Sequence, residues 1–238
     1  MELLDHLQHF SLLDAFAVAF LLISWWLMSL KIELPNGAKP SVSILMEDYR
    51  RVWMRNHVTR NPRVLDAIII GNLRAGTTFF ASGCMIAIGG VLALIGNTER
   101  LMVVARDLSL DQSPKIIWEL KLIFLMLLLA HTFLKFVWSH RLFGYTSVLI
   151  GAIPNDENDP TAYQRADQAG VIINNASRHF NRGQRSIYFT LATLAWLLGA
   201  IPLFLATLTT LAVIWRREFA STSRSLLLSG KEIPGTEM

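Results

Sequence analysis

Charged side chains are scarce in this sequence. Asp, Glu, Lys and Arg make up 17% of its 238 residues, whereas 53% of the residues are hydrophobic. A soluble domain carries about 25% charged residues, so a water-exposed surface would be difficult to build from this chain. The mean hydropathy of +0.40 points the same way. The composition therefore predicts that lipid bilayer surrounds much of the chain, which is long enough for one compact bundle.

Cysteine and catalytic motifs are also nearly absent. The one cysteine, Cys84, excludes an intramolecular disulfide, and we interpret it as a small packing residue. No Walker A loop, dinucleotide fingerprint, nucleophile elbow, HExxH sequence or cysteine-pair metal motif occurs. His6 and His9 are too few ligands for a metal site. The sequence therefore predicts no cofactor and no metal, and it leaves open whether the protein is an enzyme.

Positive charge is missing from the first fourteen residues, although the chain carries a net charge of +4. Eight Lys and Arg residues lie in 31–75, and five lie in 139–186. Clustering between apolar runs follows the positive-inside rule, so the N-terminus is predicted outside and both basic stretches in the cytoplasm. No aromatic-basic motif accompanies the charge, so nucleic acid is not a predicted partner. The protein is predicted to lie in the cell inner membrane.

Four apolar segments are predicted to be embedded in the membrane. They cover about residues 12–30, 76–96, 116–138 and 187–215. The second has 21 consecutive uncharged residues, which cross about 30 Å as a helix. Ser11 and Asp14 form a capping box that predicts the start of the first helix.

The fourth segment is ambiguous because 29 uncharged residues are long for one crossing and short for two. Gly199 and Pro202 interrupt its middle. A single crossing would leave Arg216 and Arg217 outside, whereas a hairpin returns them to the cytoplasm. We prefer the hairpin, or a pair of half-length helices, which also places the C-terminus in the cytoplasm.

Two amphipathic cytoplasmic helices are predicted at about 41–60 and 160–181. The first either meets anionic headgroups through its arginines or packs on neighbouring helices with a solvated basic face. The candidate anion- or lipid-binding residues of the two helices are Arg50, Arg51, Arg55, Arg178, His179, Asn181 and Arg182. With the embedded segments, these helices form one predicted membrane domain over 1–228. Residues 229–238 are predicted to be a disordered tail.

The third segment contains a cluster of ionisable residues, which are functional candidates at membrane depth. Glu119, Lys121, His131 and Lys135 form this candidate polar face. In a functional interpretation they line a pathway, with His131 as a titrating group. In a structural interpretation His131 is buried and hydrogen-bonded, and both lysines extend to the membrane surface.

Small residues share one face of the second segment. Gly76, Gly83, Ala87 and Gly90 recur at helical spacing, which lets another backbone approach closely. This face and the small number of spans favour a homo-oligomer.

Several stretches in order resemble the domain-of-unknown-function 599 family of multi-pass membrane proteins. They are Gly-Asn-Leu-Arg at 71–74, Phe-Phe-Ala-Ser at 79–82, Glu-Leu-Lys at 119–121, Phe-Leu-Lys-Phe-Val-Trp-Ser at 133–139, Tyr-Thr-Ser-Val-Leu-Ile-Gly-Ala at 145–152 and His-Phe-Asn-Arg-Gly at 179–183. The resemblance covers about residues 10–220 and implies a helical membrane fold. It implies no activity and no site residues.

The sequence thus predicts an all-α, polytopic membrane bundle with a cytoplasmic layer. Its predicted role is a homo-oligomeric assembly that acts as a scaffold or as a conduit for small solutes or ions. The alternative is a membrane enzyme or anionic-lipid-binding protein with a basic site at the cytoplasmic interface. The lipid bilayer, a second copy of the chain and anionic lipid are the predicted partners.

Overall fold

The protein is helical, as predicted. The computed structural model describes residues 11–35, 39–107 and 114–229, which contain no strand. Its α-helices are α1 (Leu12–Glu33), α2 (Val42–Thr59), α3 (Val64–Gly96), α4 (Thr98–Asp107), α5 (Lys115–Gly151), α6 (Ala162–Leu194), α7 (Ala200–Phe219) and α8 (Thr222–Ser229). Most of the predicted tail, 230–238, lies outside the described residues.

Four stretches among the described residues are long and apolar enough to cross a membrane. They are α1, α3, α5 and the segment Ala200–Ser229, which combines α7 and α8. Even α1, with 22 residues, extends about 33 Å, enough for the hydrocarbon core. The chain is therefore a multi-pass membrane protein, which confirms the predicted architecture.

The chain reverses direction after α6. A short 3-10 helix, Ala195–Leu198, leads to Gly199, whose φ of 121° is a conformation that side-chain-bearing residues avoid. Towards the end of α6, Phe189 stacks on Trp25, and Trp196 then reaches Asp14 at the beginning of α1. After the turn, Phe204 of α7 packs on Phe20 of α1. The two limbs thus run antiparallel, which confirms the predicted hairpin.

The first limb differs from the prediction. The expected cytoplasmic helix 160–181 and the expected membrane segment from 187 are a single helix, α6, of 33 residues. The polar residues between them, such as Asn181 and Arg182, stay helical because they find partners on other helices. The helix of the third span likewise continues beyond its predicted end at 138. Its next residues include Leu142 and Phe143, which are buried in an apolar cluster with residues of other helices.

The helices contribute to two compact units. The first unit contains the residues up to Ser29, Ala81–Leu134 and Gly183–Val213, and the second contains the rest. Of the 22 Lys and Arg residues, the first unit has only Arg100, Arg106, Lys115, Lys121 and Arg185. The prediction of one membrane domain over 1–228 stays a prediction.

Each unit has its own apolar core. In the first unit, Val91 of α3 packs with Leu122 and Leu125 of α5. The second unit has a larger cluster that includes Met54, Ile70, Phe143 and Ile173. Its α6 presents small residues, Ala162, Ala166, Ala169 and Ala176, all fully buried.

Candidate functional site

Most of the predicted anion-binding residues form a polar seam between α2 and α6 in the second unit. Arg178 donates to Glu47 at 2.8 Å, and the Arg50 Nε donates to the Asn174 Oδ1 at 2.6 Å. Arg55 forms two hydrogen bonds with Asp167, the shorter of 2.9 Å. These arginines are already paired within the chain, so their first role is to join two helices.

The remaining seam residues are placed differently. The Arg182 Nε donates to Glu33 at 2.8 Å, and Asn181 donates to the Ser43 hydroxyl at 3.3 Å. Arg51 is exposed. Among the described residues, Arg50 is bonded to the neutral Asn174 amide and Arg51 has no ion pair, so the other three predicted arginines are the ones with a carboxylate partner.

Burial lowers the pKa values of two residues at the seam. Burial lowers the pKa of the Arg50 guanidinium, an effect that nearby Glu47 opposes. Burial also lowers the pKa of His179, and Arg182 and Lys135 add to this effect. His179 is thus disfavoured as a cation. Its Nδ1 is buried without a hydrogen-bond partner, and its ring lies 6.3 Å from that of Trp138.

The residues of the predicted polar face of α5 differ in burial. Lys121, expected to extend to the membrane surface, is instead 2% exposed, with its ammonium 5.6 Å from the rings of Trp118 and Trp196. The two indoles replace water around the charge through cation–π contacts. His131 is exposed rather than buried, and its ring meets the edge of Trp25 at 5.6 Å.

The structure also shows the surroundings of Glu119, Lys135 and Asp14. Glu119 lies 4.0 Å from Lys115, one turn earlier, as the spacing suggests. Lys135 is half-buried and belongs to the second unit. Asp14 was expected to cap α1, but its carboxylate accepts a hydrogen bond of 2.7 Å from the Trp196 indole. Ser11 provides the cap by accepting from the Leu13 amide.

A buried carboxylate at the start of α3 is the feature that sequence reasoning missed. Asp66 is fully buried in the second unit. Its Oδ1 accepts from the Trp53 indole at 2.6 Å and from Arg60 at 2.5 Å, and its Oδ2 lies 2.5 Å from the His57 Nδ1. Three donors around one carboxylate compensate for its removal from water. The available signal was a lone acid in the apolar run 64–73, with Trp53 and His57 one turn apart.

The histidine of this cluster has a defined proton position. Because the Asp66 carboxylate accepts, the His57 Nδ1 carries the hydrogen, and the Nε2 of a neutral ring is then an acceptor. That Nε2 is buried without a hydrogen-bond partner. Within the described residues, no group of three or more His, Cys, Asp and Glu could hold a metal ion.

A polar cleft of about 490 Å³ lies in the same unit, where the loop between α2 and α3 meets the loop after α5. Arg63 connects the two loops by donating to the carbonyls of Val58, Ile153 and Pro154. The cleft is lined by Val58, Thr59, Arg60, Asn61, Pro62, Arg63, Asn155 and Glu157. It therefore has charges of both signs along its wall.

A second cluster that the sequence did not reveal surrounds Arg74 of α3. The Arg74 Nη2 lies 3.5 Å from the His140 Nε2. The His140 Nδ1 lies 3.2 Å from the Thr77 hydroxyl and 3.3 Å from the Thr78 hydroxyl. Both hydroxyls also reach the Arg74 carbonyl. The cluster lies within the second unit.

The glycine face of α3 makes no close contact in the described part of the chain. A Cβ added at Gly76, Gly83 or Gly90 would meet no atom within 4 Å. The close helix packing predicted from these residues is therefore not made inside one copy.

Comparison with known proteins identifies the family. The profile described as "Protein of unknown function, DUF599" matches residues 16–223, so the chain belongs to this family. No curated protein and no solved structure matches the chain.

Proposed function

We propose that this DUF599 member forms a homo-oligomeric membrane assembly, acting as a scaffold or as a conduit for small solutes or ions. The observation that carries the proposal is the outward face of α3. Only 11% of the most apolar part of α3 is buried inside the chain. The subunits would meet along this face.

The face alternates large and small residues at helical spacing. Phe79 and Ile86 are 74% and 77% exposed. Between and beside them, Ala75, Ser82 and Gly90 are exposed as well. The large residues of one copy can thus fit over the small residues of another, which is how membrane helices associate by packing. Acyl chains fill such a ridged surface less well than a complementary helix does.

The conduit form of the proposal involves His131. An exposed imidazole on an apolar helix is costly against lipid, and such residues usually face protein or a water-filled cavity. His131 is exposed in one copy of the chain. A neighbouring subunit would cover it or line a path beside it, and Lys135, one turn later, would extend that path.

Cysteine cross-linking tests the interface. In a Cys84→Ser background, Ile86→Cys is expected to form a disulfide-linked dimer under mild oxidation in membranes. Leu205→Cys is the matched control, because Leu205 is a 57% exposed residue of α7 in the same unit. We expect at least about a tenfold higher dimer yield for Ile86→Cys, since proximity raises the effective concentration. Equal yields, or a monomeric mass in detergent, would contradict the proposal.

The orientation is part of the same proposal. The second unit carries all but five of the Lys and Arg residues. The positive-inside rule therefore favours placing this unit on the cytoplasmic side of the inner membrane. The beginning of α1 would then lie outside, and the described end of α8 would lie in the cytoplasm.

Site-directed labelling tests this orientation. In the Cys84→Ser background, Leu12→Cys is expected to react with a membrane-impermeant maleimide in intact cells, because Leu12 is 91% exposed. Arg55→Cys, with 57% of its native side chain exposed, is expected to react only after permeabilisation. The opposite pattern would reverse the topology, and labelling of both in intact cells would contradict the assignment.

The alternative function is a membrane enzyme or anionic-lipid-binding protein that uses the basic residues of α2 and α6. It has less support at those residues, because Arg50, Arg55, Arg178 and Arg182 already have partners inside the chain. A lipid-binding role is better supported at Arg74.

A further inference from the structure

Arg74 is a partly buried cation without an anion. Its Nε is buried and forms no hydrogen bond, and its Nη2 makes only the long contact with His140. No carboxylate pairs with it among the residues that the structure describes. Charges in protein interiors are normally paired, because transfer from water is costly. Arg74 is therefore a partly buried charge for which the described chain supplies no counter-ion.

His140 cannot be that counter-ion. The Thr77 and Thr78 hydroxyls each have one hydrogen, and both are in position to donate it to the Arg74 carbonyl, at 2.6 and 3.2 Å. The His140 Nδ1 must then donate to the hydroxyl oxygens, which leaves a lone pair on Nε2 facing Arg74. An imidazole carries no negative charge, so His140 orients the guanidinium without neutralising it.

Other cations of the second unit share this property. Lys31, Lys135 and Arg141 also lack a carboxylate partner within 11–35, 39–107 and 114–229. Lys31 lies 4.3 Å from the Trp215 ring, and Arg141 lies 5.7 Å from the Tyr145 ring. Cations beside Trp and Tyr at the ends of apolar helices are typical of a membrane–water interface, where anionic headgroups gather.

We propose that Arg74, oriented by His140, binds a phosphate-bearing anion, with an anionic phospholipid headgroup as its source. The planar guanidinium matches phosphate oxygens in geometry and keeps its charge at all physiological pH values. The exposed Thr78 hydroxyl lies 3.3 Å from the His140 Nδ1, and so lies on the other side of the ring that contacts the guanidinium. The site differs from the α2–α6 seam, where Arg55, Arg178 and Arg182 have carboxylate partners within the chain.

Lipid binding to the purified full chain tests the site. Phosphatidylglycerol and phosphatidylcholine are titrated into protein in non-ionic detergent, and bound lipid is measured by native mass spectrometry. The wild type is expected to prefer phosphatidylglycerol. Arg74→Gln should weaken that binding at least about tenfold, the effect of one charge-assisted hydrogen bond. Arg74→Lys should retain most of it, and Arg55→Gln, whose native arginine is paired with Asp167, should bind as the wild type does.

A second variant covers the case in which Arg74→Gln does not fold. Thr78→Asp places a carboxylate one helical turn after Arg74, next to the His140 ring, and should reduce phosphatidylglycerol binding about tenfold by repelling the anion, whereas Thr78→Asn should not. Inorganic phosphate then separates the sources. If it displaces phosphatidylglycerol from the wild type, the site takes a free phosphate as well, and if it does not, the acyl chains are required. Unchanged phosphatidylglycerol binding in Arg74→Gln, or in folded Thr78→Asp, would overturn the proposal, as would equal binding of both lipids by the wild type.

Discussion

Asp66→Ala is expected to destabilise the protein by about 3–5 kcal/mol, the cost of removing one partner from a buried ion pair. The substitution leaves Arg60 without its carboxylate and leaves the His57 Nδ1 and the Trp53 indole without acceptors. Because Asp66 is fully buried, water cannot replace those hydrogen bonds without opening the junction between α2 and α3. The free energy of unfolding in mixed detergent micelles measures the effect.

Asp167→Ala is the matched control for Asp66→Ala. Asp167 also binds an arginine, Arg55, but the two side chains are 53% and 57% exposed. Exposed pairs contribute about 0–1 kcal/mol, so this variant should be close to the wild type. Asp66→Asn should fall between the two, since its amide oxygen still accepts one of the donors. Equal stability of Asp66→Ala and Asp167→Ala would show that the buried carboxylate does not hold the two helices together.

Phe136→Ala is expected to cost about 3–5 kcal/mol, as for other aromatic truncations in a packed core. Phe136 is fully buried in the second unit. Its ring stacks on Phe80 of α3 at 5.2 Å and meets the edge of Phe180 of α6 at 5.7 Å, so one side chain connects three helices. The truncation removes both contacts and leaves a cavity between helices that cannot collapse freely. Thermal unfolding in detergent, monitored by circular dichroism, measures the loss of stability.

Leu134→Ala is the control for Phe136→Ala, because Leu134 lies two positions earlier on α5 and is 62% exposed. Lipid or detergent contacts its side chain before and after truncation, so little packing is lost. We expect Leu134→Ala to lower the melting temperature by much less than Phe136→Ala. A similar decrease for both would mean that the three-ring contact contributes no specific stability.

These residues show how far the sequence could be interpreted. Phe136 lies in one of the stretches that resemble the family, but α5 is apolar on all sides, so the sequence did not distinguish this buried residue from the exposed Leu134. Asp66 lies in the first turn of α3 and Arg74 lies ten residues after the helix begins, and neither looked different from an ordinary charge next to an apolar run. Their importance depends on partners 6 to 66 residues away, and no spacing rule connects Arg74 to His140.

Lys121 and His131 also show that the sequence does not determine the neighbours of a side chain. Both lie on α5 in the segment predicted to be embedded, and the sequence could assign them to membrane depth. Lys121 is buried next to the rings of Trp118 and Trp196, whereas His131 stays exposed although it contacts Trp25. The side chains of an α-helix point in all directions around its axis. The position of a residue along the axis therefore does not specify which neighbour its side chain contacts.

The sequence by itself determined which segments are surrounded by lipid and which by water. Long uncharged runs leave water for lipid, where a helix hydrogen-bonds its own backbone groups. Each residue contributes to the free energy of this transfer independently of distant contacts. The hairpin could be predicted for the same reason, from segment length, Gly199 and the basic residues after it. The tertiary structure alone decided which charges are paired inside the chain and which still need a partner. Ion pairs and hydrogen bonds act over a few ångströms, so their partners are set only after the helices have packed.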